Sequence, residues 1–116
     1  MIEEGDIILF RFPRTDLGRG KLRPALLLRK IPGAYDDWLI CMVSTRLYQR
    51  IDPLEIILSS SDSCFSETGL KRDSLIRSSR LAVVHESIFE GNLGAVKTSI
   101  LLDIRGRLAS WLCEAE

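Results

Sequence analysis

A chain of 116 residues fits one domain and buries about two-thirds of its unfolded surface, which is enough for one core. Sixteen Lys and Arg balance sixteen Asp and Glu. A net charge of zero argues against coating nucleic acid by bulk electrostatics, and no apolar run approaches the ~20 residues of a membrane helix. Three separated cysteines (Cys41, Cys64, Cys113) and the one histidine, His85, show no metal-ligand spacing, so no metal site is expected and the thiols are read as free and buried or half-buried.

The acidic start, Met1-Ile-Glu-Glu-Gly5, lacks the basic opening of a signal peptide, and a cytoplasmic setting is the expectation. Asp6 to Phe12 reads as a strand with Ile8, Phe10 and Phe12 on one face and Ile7, Leu9 and Arg11 on the other. Pro13 and Gly18-x-Gly20 mark a loop, and Arg23-Pro24 enters a second strand, Ala25 to Arg29, where proline suits the first position. After a turn at Ile31-Pro-Gly and Asp36-Asp37, Trp38 to Thr45 is a third strand. Its Leu39, Cys41, Val43 and Thr45 share a face, which delivers a hydroxyl at the strand end.

Leu54 to Leu58 is a fourth strand, and the polar run Ser59 to Thr68 is a loop closed by Gly69. Ser74 to Arg77 and Arg80 to His85 form one further strand, bent or bulged at Ser78-Ser79. Beyond Gly91 and Gly94 the period changes. Ile100, Leu101, Ile104, Leu108, Trp111 and Leu112 recur at helical spacing, predicting an amphipathic helix over Ser99 to Cys113 with Thr98 as N-cap. Trp38 and Trp111 are expected in the core. Short strands followed by a terminal helix predict a mainly β fold, a small barrel with a helix on its side or end.

Charge is unevenly placed. Seven basic residues lie between Arg11 and Lys30 against one acid, Asp16, and Lys71, Arg72, Arg77 and Arg80 form a second group around Asp73. A local phosphate-binding face is one reading and a solvated surface the plainer one.

Gly5-Asp6-Ile-Ile-Leu-Phe-Arg-Phe-Pro13, then Lys21-Leu-Arg23-Pro24-Ala-Leu-Leu-Leu28, resembles the opening of the MazF/PemK toxins. Val43-Ser44-Thr45 is similar to that family's third-strand end, and Gly69-Leu-Lys-Arg-Asp-Ser-Leu-Ile-Arg77 with Leu93-Gly94 to its later half. The resemblance implies a single toxin domain over residues 1–116 with an SH3-like barrel (the MazF/CcdB-like toxin fold). It also implies a homodimer, a cognate antitoxin, and a metal-independent endoribonuclease with no cofactor that acts on single-stranded RNA. By position, Arg23 matches the catalytic arginine and Thr45 the active-site hydroxyl, with Ser44 its nearest substitute. Arg77 matches an arginine that contributes to catalysis in some members, and Ser79 stands where some keep an acid. Arg19, Lys21 and Pro24 are assigned to the RNA-side surface with Ser44, Arg77 and Ser79.

RNA carries its own nucleophile, the 2′-OH, so cleavage to a 2′,3′-cyclic phosphate and a 5′-OH needs the phosphate held in line, its charge neutralised and two protons managed. Arginine suits the charge task, since its planar fork stays ionised and donates two bonds to phosphate. Asp16 and His85 are the available bases, and neither is favoured. Two other readings of the same fold are a CcdB-like poison that binds DNA gyrase through its last helix, Ala109 to Glu116, and a catalytically decayed interaction module.

Overall fold

The computed structural model describes residues 2–11 and 20–115. Phe12, Asp16 and Arg19 lie outside them. Six strands form one antiparallel sheet: β1 (Asp6–Arg11), β2 (Leu22–Lys30), β3 (Asp37–Ser44), β4 (Ile56–Leu58), β5 (Ser74–His85) and β6 (Gly91–Ala95). The strand order is β4-β5-β3-β2-β1-β6, and a helix α1 (Thr98–Cys113) ends the chain.

The period-2 pattern decides which side chains meet. On one face Ile7, Leu26, Leu28, Cys41, Val43 and Ile76 pack against Leu101, Ile104 and Leu108 of α1. On the other, Ile8, Phe10, Ala25, Leu27, Trp38 and Ile40 form a second cluster, with Ile2 and Phe89 packed on it. The face assignments for β1 and β3 therefore agree with the sequence alternation. The bulge in β5 does too. Cys41 pairs with Leu81 and Met42 with Arg77, so Ser78, Ser79 and Arg80 have no partner on β3 and the strand bends there.

The sheet curls into a half-barrel. The chain leaving β4 at one edge winds into a 3-10 turn, Phe65–Thr68, and meets β6 at the other edge. Two glycines make that meeting possible. A Cβ on Gly69 (φ 73°) would lie 2.1 Å from the Leu93 carbonyl oxygen, and one on Gly94 would lie 2.2 Å from that of Glu67.

Several expectations need correction. β2 begins at Leu22, because Leu22 and Arg23 already pair with Arg11 and Phe10, so Pro24 is the third residue of the strand and not its first. β6 was not foreseen; it exists because the outer edge of β1 supplies its pairing. The polar stretch before Gly69 contains the Phe65–Thr68 turn. Thr98 is the first helical residue, and the N-cap is Lys97, which makes no side-chain capping bond. Trp111, on the last turn of α1, is 54% exposed and not in the core. Cys41 is buried and Cys64 half-buried, but Cys113, in that same last turn, is exposed.

Polar bonds fix the helix to the first strands. Arg105 donates to Glu4 Oε1 (2.6 Å) and to the Leu28 carbonyl (2.8 Å). The Lys30 amide donates to Glu4 Oε2, and that bond is the main influence holding the Glu4 carboxyl below its usual range. Gly106 sits in mid-helix with open space where a Cβ would go. Gly106→Ala should therefore raise stability by about 0.5–1 kcal/mol in urea unfolding, through restriction of the unfolded chain.

Candidate functional site

Cross-strand register brings the candidate residues together. Phe10 pairs with Arg23, Ala25 with Met42, Met42 with Arg77 and Ser44 with Leu75. Extending the β2–β3 ladder by two residues sets Arg23 across from Ser44. Arg23, Ser44 and Arg77 thus share the sheet face that carries Phe10 and Ala25, while Thr45 continues the face of Val43 just beyond the strand end.

Where β2 starts and β3 ends, a groove of about 420 Å³ opens. Lys21–Pro24 form one wall, Val43–Arg46 another, and Leu70, Lys71, Arg72 and Ser74 the third. Among the described residues five cations line it (Lys21, Arg23, Arg46, Lys71 and Arg72) and no carboxylate does. None of the five has an ion-pair partner among the described residues. Asp73, the acid beside them in sequence, accepts from the Ser60 amide at 2.7 Å, which holds its carboxyl below the usual range. In a chain of zero net charge the groove is a local concentration of positive charge.

The Ser44 hydroxyl is oriented. Its Oγ accepts from the Arg46 amide at 3.0 Å, which leaves its proton free to be donated. Thr45 is exposed on the same wall.

Arg77 and Ser79 do not line the groove. Arg77 is 7% exposed, donates from Nε to Glu55 Oε2 (3.2 Å) and from Nη1 to Gln49 Oε1 (2.8 Å). Ser79 donates through its hydroxyl (2.6 Å) and its amide (3.2 Å) to the same Glu55 oxygen. The Ile51 amide donates to Glu55 Oε1 at 3.0 Å. Burial alone would raise the Glu55 carboxyl, but these bonds outweigh it and hold it low, so Glu55 is ionised and paired at neutral pH. Sequence reasoning missed Glu55. The signal was an acid inside the apolar run Leu54-Glu-Ile-Ile-Leu58, matched by an arginine inside Leu75-Ile-Arg77.

The stabilisation from Glu55 should be fully present above about pH 4.3, the ordinary glutamate value, and lost as pH falls through its lower folded value. The gap in urea midpoint between wild type and Glu55→Gln should therefore narrow from pH 7 to pH 3.

His85 is no candidate base for this groove. It pairs with Asp37 at the far end of β3, seven residues from Ser44 or roughly 23 Å, and its Nδ1 accepts from the Ser87 amide. Among the described residues no three His, Cys, Asp or Glu side chains cluster to hold a metal, and no helix is long and apolar enough to cross a membrane.

A family model described as PemK-like, MazF-like toxin of type II toxin–antitoxin system matches residues 3–112. The chain belongs to this toxin family. No curated protein matches it. The match spans every strand and nearly all of α1, so the groove of this toxin lies wholly inside the shared domain. Membership also implies a cognate antitoxin.

Proposed function

We propose that this toxin is an endoribonuclease that cleaves single-stranded RNA in the five-cation groove. The observation that supports the reading is that Arg23 and the Ser44 hydroxyl line one groove whose described residues include five cations and no carboxylate. Arg23 grips the scissile phosphate and offsets the charge that grows as the 2′-OH attacks. Ser44 donates to a non-bridging oxygen, and Thr45, exposed in the lining of the same groove, stands next to it on the wall. Lys21, Pro24, Arg46, Lys71 and Arg72 hold the flanking chain. Arg19, outside the described residues, belongs to the same basic stretch. Attack by the 2′-OH leaves a 2′,3′-cyclic phosphate and a 5′-OH, with neither metal nor covalent enzyme intermediate. Such a toxin works in the cytoplasm, where its RNA is.

Long RNA incubated in EDTA tests this. Fragments with cyclic-phosphate ends are the expected product. Intact RNA, together with capture of DNA gyrase that depends on residues 109–116, would favour the gyrase-poison reading instead.

The same toxin is read as a homodimer. Trp111 and Leu112, 54% and 65% exposed, continue the stripe that buries Leu101, Ile104 and Leu108, and a second copy would cover them. Sedimentation should give twice the chain mass, falling to one on Trp111→Asp.

A further inference from the structure

A continuous series of hydrogen bonds runs from the most buried charge of the described chain to the groove. Glu55, fully buried, accepts from Arg77 Nε. Arg77 Nη1 donates to Gln49 Oε1. The Gln49 backbone N–H donates to the Arg46 carbonyl (3.0 Å), and the Arg46 backbone N–H donates to Ser44 Oγ (3.0 Å). The segment between is wound tightly, with the Leu47 amide on the Thr45 carbonyl and the Arg50 amide on that of Leu47. Arg50 Nε also donates to the Glu55 carbonyl (2.9 Å), and Ser78 Oγ to that of Leu54 (3.2 Å).

From this juxtaposition we infer that Glu55 is a positioning residue, which acts through Arg77 and Gln49 to fix the Ser44–Arg46 wall; its catalytic consequence rests on the ribonuclease reading. Arg77 and Ser79 then serve the reaction without touching RNA. A buried carboxylate anchors a wall well because each donor it collects has one geometry, and in a dry setting those bonds are strong. The wall rests on the bulge of β5, where Ser79 turns its amide and hydroxyl to one Glu55 oxygen. The bulge is therefore the seat of the wall as well as a bend in the strand.

Gln49 is half-buried and holds the wall to Arg77 through one side-chain bond, so Gln49→Ala keeps the fold and tests the link directly. Cleavage by Gln49→Ala should show kcat lowered about 10-fold with KM changed far less, because the displaced Ser44 donor loses transition-state contact while Lys21, Arg23, Lys71 and Arg72 still hold the phosphates. In a Ser44→Ala background the same change should add little, since both act on one donor. Glu55→Gln should behave alike where it folds. Independently of activity, amide hydrogen exchange at Arg46, Gln49 and Arg50 should quicken in Gln49→Ala while that at Leu22 and Arg23 stays unchanged. Unaltered exchange, or losses in kcat that multiply with Ser44→Ala, would overturn the inference. Absence of cleavage by wild type would defeat the ribonuclease reading alone, and the exchange measurement would still decide whether Glu55 and Gln49 hold the wall.

Discussion

Arg23→Ala should lower RNA cleavage on the order of 10²–10³-fold, the loss expected when a pre-placed donor to a developing oxyanion is removed. Arg23 is half-exposed at the beginning of β2, pairs there with Phe10 through backbone, and has no carboxylate partner among the described residues. Its removal should leave the unfolding midpoint nearly unchanged, which separates a chemical role from a structural one. Arg23→Lys should recover little, because an ammonium cannot span two phosphate oxygens in one plane. Equal cleavage by wild type and Arg23→Ala would reject the assignment. The same assay over pH addresses proton removal. The groove holds no carboxylate or imidazole among the described residues, so a rate that climbs with pH through 8 marks hydroxide from solvent as the base. A plateau above about pH 5 marks a carboxylate, and Asp16 is then the residue to replace.

Gly94→Ala should destabilise the toxin by about 3 kcal/mol or more, and Gly69→Ala by a similar amount. In both cases the added Cβ meets backbone: the Glu67 carbonyl oxygen at 2.2 Å for Gly94, and that of Leu93 at 2.1 Å for Gly69. A flexible side chain could swing aside, whereas these carbonyls belong to the 3-10 turn and to β6. Gly69 carries a second penalty, since its φ of 73° is one that residues with a Cβ rarely adopt. The two changes disturb one contact, so the double variant should lose less than the sum. Urea unfolding followed by circular dichroism reads all three. Full stability in Gly94→Ala would mean that the two edges of the half-barrel do not approach this closely.

These particulars mark what could be read from sequence. The alternation of Ile7 and Ile8 assigned both faces of β1, because each face is covered and only a strict period of two satisfies both. The β5 bulge was legible because Ser78-Ser79 interrupts two apolar runs. β6 was not legible. Gly91-Asn-Leu-Gly-Ala95 has no β-branched residue, and its strand form is dictated by the β1 edge and the turn pressed against Gly94. Trp111 was misplaced because a helical stripe looks the same whether or not a sheet extends beneath it. At the site, Arg23, Ser44 and Thr45 were named through the family resemblance, and all three line one groove. Arg77 and Ser79 were set beside them although they lie in a buried network, since spacing along β5 cannot tell which way the bulge turns a side chain or that an acid from before β4 will meet it.

The two tryptophans end up in opposite settings. Trp38 is 4% exposed, its indole nitrogen donates to Glu86 (3.0 Å) and the Lys30 ammonium lies 5.4 Å from its ring centre, while Trp111 stands in water on the last turn of α1. The chain therefore carries two built-in optical probes. The Trp38 signal follows loss of the core, and the Trp111 signal follows whatever covers the end of the helix. Fluorescence of Trp38→Phe and Trp111→Phe would then resolve folding from assembly without an attached label.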